Sequence, residues 1–174
     1  MLLLLPPIGA GAWAIIVQFN GNVHEVVPGE LYRSAQLNGA RLKGVIDQFA
    51  IRSIINLRGG EPNNDFYSDE LNVSSASGVV HFDVPMSAGD EPSPATLEQL
   101  IGLLRTAPRP LLVHCKDGSD RTGLASALFE LLVLHRPASE ASGQLSFAYG
   151  HFPWLGSPTI AMDNTFDRIV AAGI

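Results

Sequence analysis

One stretch decides the fold of this chain, Leu111-Leu112-Val113-His114-Cys115-Lys116-Asp117-Gly118-Ser119-Asp120-Arg121-Thr122-Gly123. Its apolar start, residues 111–113, has the length and branching of a buried strand, and residues 124–132 have a helical composition. The polar residues between them form a loop that opens a helix, where unpaired N–H groups and the helix dipole favour an oxyanion. Gly118 lets the backbone close around an anion, and the Arg121 guanidinium can hold two oxygens. The stretch predicts a strand, an anion-binding loop and a helix.

The only cysteine of the chain, Cys115, is the first residue of this loop. A thiol at a helix N-terminus beside a guanidinium is favoured as the nucleophilic thiolate. Cys115 is therefore the candidate nucleophile for attack on phosphorus, with Arg121 holding the oxygens of the transferred group. The alternative is an inert cysteine buried in the core, which the arginine spacing and the loop glycine argue against. The predicted phosphate-binding residues are Lys116, Asp117, Gly118, Ser119, Asp120, Arg121 and Thr122, the last also able to bond the sulfur.

The pair His114-Cys115, five further residues and Arg121-Thr122-Gly123 resemble the signature of the cysteine-dependent protein tyrosine and dual-specificity phosphatases. The resemblance implies a hydrolase of phosphoric monoesters that works through a cysteinyl-phosphate and needs no cofactor or metal. Rhodaneses and arsenate reductases share looser forms of the motif. Because arsenate reduction of that type needs further thiols to resolve its intermediate, the single cysteine favours hydrolysis.

Protonation of the leaving group requires a carboxylic acid within hydrogen-bond reach, and two candidates stay open. Asp90 lies on the loop 87–94, where the resembling phosphatases carry their acid. Asp120 directly precedes Arg121, and an aspartate there is similar to the myotubularin lipid phosphatases and some bacterial secreted phosphatases, in which it can serve as the acid. Asp120 can equally cap the helix that follows. Asp83, at a predicted strand end, is expected to be structural.

Helices and strands alternate along the rest of the chain, as their apolar spacing indicates. The predicted strands are residues 51–57, 79–84 and 111–113, and residues 31–36 are predicted to form an early strand and turn. The predicted helices are residues 39–49, 66–77, 95–106, 124–132, 138–148 and 163–172. This alternation predicts a single α/β domain, with a mainly parallel central sheet flanked by helices on both faces. Cys115 then lies beyond the carboxyl end of a strand, where such sheets bind ligands.

The composition separates the N-terminus from the rest of the chain. Residues 1–19 are almost wholly apolar and uncharged, so we predict a signal-anchor-like segment that tethers a catalytic domain, residues 20–174, to a membrane of the bacterial envelope. The absence of a preceding basic residue and the helix-breaking Pro6-Pro7 favour the alternative, a buried N-terminal element of a cytoplasmic protein. The formal charge of −6 without a basic run argues against a nucleic-acid partner.

The loop chemistry fits several substrates, so the substrate class stays open. A phosphorylated protein is the first expectation from the resemblance. Lys116 is similar to a lysine that lipid phosphatases often carry, which makes a phosphoinositide or inositol-phosphate phosphatase the alternative. A catalytically weak phosphate-recognition module is the alternative of another class, and the intact Cys115 and Arg121 argue against it. Arg58, at a predicted strand end, either reaches the phosphate pocket or pairs with a carboxylate.

Overall fold

A five-stranded sheet forms the centre of the molecule, as seen in a computed structural model that describes Trp13 and residues 19–173. Its strands are His24–Val27 (β1), Leu31–Ser34 (β2), Ser53–Asn56 (β3), Val80–Asp83 (β4) and Leu111–His114 (β5). The order across the sheet is β1-β2-β5-β3-β4, and only the β1–β2 pair is antiparallel. The predicted mainly parallel sheet is therefore confirmed, with β5 at its middle.

Six α-helices connect and cover the strands in the described part of the chain. They are Gly39–Phe49 (α1), Asp65–Ala76 (α2), Pro94–Thr106 (α3), Asp120–Leu132 (α4), Ala138–Ala141 (α5) and Ile160–Ala172 (α6). The helix predicted over residues 138–148 is wrong, because α5 gives way to two 3-10 turns, Ser142–Gln144 and Phe147–Tyr149. Serine and glycine in this segment favour turns over a continued helix. The edge strand β1 was not predicted, since it is short and of mixed polarity.

The apolar core lies on both faces of the sheet. Along β5, Leu111 and Val113 pack into a cluster with α3, α4 and α6, whereas Leu112 packs into a second cluster with α1. All four residues of β5 are buried, as expected of a central parallel strand. Because β5 is fixed from both faces and both edges, the loop that follows it starts from a rigid position.

The anchor predicted for residues 1–19 falls almost wholly outside the described residues. Within the described part, no helix has both the length and the apolar character that crossing a membrane requires. The domain boundary placed at residue 20 stays a prediction.

Candidate active site

The loop between β5 and α4 contains the predicted nucleophile. Cys115 directly follows β5 and is 2% exposed, and α4 begins at Asp120. Arg121 therefore lies in the first turn of α4, and the loop between Cys115 and Arg121 faces the positive end of that helix.

The peptide carbonyls of residues 116–119 all accept hydrogen bonds from the surrounding protein. The Gln36 N–H donates to Lys116 O at 3.0 Å, and the Asn22 side-chain amide donates to Asp117 O at 3.0 Å. Arg33 Nη2 donates to Gly118 O at 2.9 Å and to Ser119 O at 3.3 Å. No backbone N–H group of residues 116–122 donates to another residue of the described chain. Since the carbonyl and the N–H of one peptide plane point in opposite directions, this arrangement turns a set of donors toward the inside of the loop.

Arg33 on β2 supports the loop from below, and its side chain is fully buried. In addition to the two loop carbonyls, its guanidinium donates to Gln144 O at 2.9 Å and Gln144 Oε1 at 2.7 Å. It also stacks on the Tyr149 ring, 3.8 Å from the ring centroid. Burial lowers the pKa of Arg33 to about 10, so the group is still a cation at neutral pH. Sequence reasoning assigned no role to Arg33, although a charged residue inside a short predicted strand was the available signal.

Gly118 is required by the close approach of this loop to β2. Its φ is +72°, and a Cβ there would lie 2.6 Å from the Ala35 nitrogen and 2.7 Å from the Ser34 carbonyl carbon. A side chain at this position therefore has no room unless the backbone of β2 moves.

Two backbone carbonyls hold one edge of the Arg121 guanidinium in place. Its Nη1 donates to Met86 O at 3.0 Å and to Leu57 O at 3.3 Å. Its Nε is buried and has no partner in the described part of the chain, and the same holds for the hydroxyl of Thr122. Unpaired buried donors are costly, so an Nε of this kind beside a loop of N–H groups indicates an oxyanion site.

His114 is tied to a buried glutamate that sequence reasoning missed. Glu70 on α2 is 2% exposed and accepts from His114 Nε2 at 2.9 Å, from His81 Nε2 at 2.6 Å and from the Gln36 amide at 2.6 Å. Burial alone raises the pKa of Glu70, but the hydrogen bonds from His114 and His81 outweigh it and hold that pKa well below its ordinary value. Glu70 thus fixes the end of β5 that carries Cys115; nothing in the sequence around Glu70 signalled this.

The two candidate acids occupy different environments. Asp90 is exposed on the loop between β4 and α3, and this loop begins beside Arg121, because Met86 O accepts from that guanidinium. Farther along the same loop, Glu91 pairs with Arg168 of α6 at 3.0 Å. The loop that carries Asp90 therefore bridges the predicted phosphate site and α6.

Asp120, in contrast, is engaged by a histidine. Its Oδ1 accepts from His151 Nδ1 at 2.7 Å, and His151 Nε2 lies 2.8 Å from Asp163 Oδ2. The helix-cap position is Ser119, and it makes no side-chain capping bond. Asp83 is structural in its contacts, since it accepts from the Asn56 amide at 3.0 Å and from the Tyr67 hydroxyl, which raises the pKa of Tyr67 to about 12.

A cleft of about 270 Å³ opens beside the loop, lined by Ala35, Gln36, Arg58, Phe66, Lys116 and Asp117. Arg58 both lines this cleft and pairs with Glu61, at 3.0 Å between Nη2 and Oε1. The cleft is therefore lined by two cationic side chains, Arg58 and Lys116, and by the exposed Phe66 ring. Within residues 19–173, no group of three or more His, Cys, Asp or Glu side chains is arranged to hold a metal ion.

A family model described as DSP-PTPase phosphatase fused to NAD+ kinase matches residues 14–147. The dual specificity protein phosphatase TpbA of Pseudomonas aeruginosa is 27% identical over 124 residues, which are 70% of this chain and 52% of TpbA. The chain therefore spans about half the length of the curated relatives that it matches.

Solved structures of phosphatases share the fold. The crystal structure of P. aeruginosa TpbA superposes with a TM-score of 0.63 at 19% identity, over 88% of this chain and 91% of that one. A putative phosphatase (DUF442) from Shewanella putrefaciens CN-32 gives 0.65 at 16% identity, over 86% and 89%. PTPMT1 gives 0.64 at 17% identity, over 87% and 98%. TpbA has also been solved in complex with pTyr, and PTPMT1 in complex with PI(5)P.

Proposed function

The chain belongs to the DSP-PTPase family of cysteine-dependent phosphatases, and from this premise we propose that it hydrolyses phosphate monoesters through a cysteinyl-phosphate on Cys115. One observation carries the proposal. The loop after β5 has its carbonyls bonded outward and its N–H groups without protein partners in the described chain, next to the unpartnered Nε of Arg121. Such a cradle stabilises the charge on a transferred phosphoryl group more than it stabilises any neutral ligand.

In the first step the Cys115 thiolate attacks phosphorus, and an S–P bond forms as the P–O bond to the leaving group breaks. The loop N–H groups and Arg121 hold the non-bridging oxygens, and Asp90 passes its proton to the departing oxygen. Water then attacks phosphorus, the S–P bond breaks, inorganic phosphate leaves and the Asp90 carboxylate accepts the proton from water. The backbone N–H groups of the loop and the Arg121 guanidinium take the role that metal ions have in other phosphoryl-transfer enzymes.

Phosphotyrosine in a protein is the substrate class that we propose first, in line with the pTyr complex of TpbA. A phosphoinositide is the second candidate, because Lys116 and Arg58 lie on the cleft beside the loop and can bind a second phosphate. A panel of phosphotyrosine peptides and soluble phosphoinositides separates the two. Replacement of Lys116 by an uncharged residue is expected to weaken the binding only of substrates that carry the second phosphate.

The catalytic proposal is tested with p-nitrophenyl phosphate near pH 6. The wild-type protein is expected to turn over, whereas Cys115→Ser loses turnover and keeps its affinity for inorganic phosphate, because the cradle is intact. Asp167→Asn, an exposed change on α6, is the control that leaves both measurements unchanged. A wild-type protein that binds phosphate but hydrolyses no aryl phosphate would be a recognition module instead.

We further propose that residues 1–19 tether the protein to a membrane, on the apolar composition of that segment alone. Fractionation of cells that express residues 1–174 is the test. Recovery with the membranes after carbonate washing supports the tether, and recovery in the supernatant contradicts it.

A further inference from the structure

His151 lies between two carboxylates in the interior of the protein. Its side chain is fully buried, and its two ring nitrogens lie 2.7 Å from Asp120 Oδ1 and 2.8 Å from Asp163 Oδ2. Asp120 is the first residue of α4, and Asp163 is in the first turn of α6. One imidazole therefore links the helix that begins at the phosphate loop to the C-terminal helix.

These contacts favour a charged imidazole. A neutral ring carries a hydrogen on only one nitrogen, so the lone pair of the other nitrogen would face a carboxylate oxygen. The doubly protonated ring instead donates to both oxygens, in short charge-assisted bonds. Burial alone lowers the pKa of His151, but the hydrogen bonds to Asp120 and Asp163 outweigh it and raise that pKa above its ordinary value. The charged groups that face His151 are these two carboxylates, one from each helix.

The surroundings of His151 also contact the phosphate loop directly. The neighbouring Gly150 packs so closely on the loop that a Cβ there would lie 3.0 Å from Ser119 Oγ. The Asn22 amide joins Tyr149 O, at 2.9 Å, to Asp117 O in the loop. The position of His151 is thus coupled to the loop both through Asp120 and through the backbone of its own segment.

We propose, on the basis of the phosphatase function above, that His151 is a positioning residue of the phosphate loop. Through its bond to His151, Asp120 holds the loop in place and does not protonate the leaving group. The Asp120 oxygen that lies 2.7 Å from His151 Nδ1 is already engaged in that hydrogen bond and is not free to protonate a leaving group. Asp90, which is exposed and makes no hydrogen bond to another described residue, is then the acid. His151 acts through Asp120 and does not touch the substrate.

Leaving-group dependence separates the two roles of Asp120. Loss of a general acid lowers kcat/KM mainly for poor leaving groups, by about 10² or more. We therefore expect Asp90→Asn to reduce kcat/KM for phenyl phosphate far more than for p-nitrophenyl phosphate. Asp120→Asn should reduce both by a similar factor, about tenfold, through a displaced loop. A selective loss with phenyl phosphate in Asp120→Asn would overturn the proposal.

The link through His151 is tested by Asp163→Asn, with Asp167→Asn as the matched control on the same helix. Nitrogen-15 NMR of the full chain should show His151 protonated on both ring nitrogens at pH 7. In Asp163→Asn, the pKa of His151 should fall, because one of the two carboxylates that raise it is lost. With Asp90→Asn in the background, so that the general acid itself does not titrate, Asp163→Asn should move the alkaline limb of the pH profile for p-nitrophenyl phosphate to lower pH, and the control should leave it in place.

Binding of inorganic phosphate keeps this test separate from that of the phosphatase function. If the wild-type protein hydrolyses nothing, the pH dependence of phosphate affinity still reports whether His151 positions the loop. An affinity that weakens at lower pH in Asp163→Asn than in the wild-type protein supports the proposal. A neutral His151 at pH 7, or superimposable phosphate-binding profiles for the two proteins, would overturn it.

Discussion

Arg33 is a buried cation whose cost is offset by oxygens on two sides. One side of the guanidinium donates to the two oxygens of Gln144, and the other side donates to the loop carbonyls of Gly118 and Ser119. A planar fork can reach both sets at once, whereas an ammonium group is a point donor. Arg33 therefore holds the phosphate loop at a fixed distance from Gln144.

We expect Arg33→Lys to lower the free energy of unfolding by about 2–4 kcal/mol, since the ammonium leaves some of these buried acceptors without a donor. Affinity for inorganic phosphate should fall as well, because the carbonyls of Gly118 and Ser119 lose their orientation. Urea unfolding and phosphate titration measure the two effects. Arg105→Lys, an exposed change on α3, is the control. An Arg33→Lys protein with the stability and affinity of the wild type would contradict this role.

The unit of strand, loop and helix that carries the site depends on one close contact with a neighbouring strand. β2 and β5 are parallel neighbours, so the ends of both strands meet at the same edge of the sheet. Gly118 crosses that edge in a left-handed conformation, in direct contact with the backbone at Ser34 and Ala35. The geometry of the loop is therefore imposed by β2 and not only by its own sequence.

Gly118→Ala tests this dependence. Both the positive φ and the contact of 2.6 Å with the Ala35 nitrogen oppose a methyl group, so we expect a loss of about 1–3 kcal/mol in the free energy of unfolding. The free energy of phosphate binding should fall by more than the free energy of unfolding, because the loop itself must move. Gly102→Ala on α3 meets nothing within 4 Å and should stabilise the protein by about 0.5–1 kcal/mol. Equal effects of the two substitutions would refute the argument.

Across the whole molecule, the parts of the site that are contiguous in sequence could be predicted, and the parts that support them could not. Cys115, Gly118 and Arg121 share one loop, and their spacing alone indicates an anion site. Arg33 contacts Gly118 from 85 residues away, and Glu70 contacts His114 from 44 residues away. Local sequence patterns do not predict such distant pairs, because only the strand order and the helix packing bring these residues together.

Two buried groups, Glu70 and His151, favour a stability optimum in mildly acidic solution. The pKa of Glu70 is lower in the folded protein than its ordinary value of 4.5, so the stability from its ionised form is present above that pH and is lost as the pH falls. The pKa of His151 is raised above its ordinary value of 6.5, so the stability from its charged form is present below that pH and is lost as the pH rises through the folded pKa.

We therefore expect the free energy of unfolding to be highest between about pH 4.5 and 6.5 and to fall on both sides, by up to about 1.4 kcal/mol per pH unit for each group. Urea unfolding from pH 3 to 9 measures the profile. Glu70→Gln should flatten its acid side and His151→Gln its alkaline side, because each variant removes the group that titrates there. Asp167→Asn should keep both slopes. A wild-type protein whose stability increases steadily from pH 6.5 to 9 would show that His151 is not held as a cation, and would remove the electrostatic basis for its link to the phosphate loop.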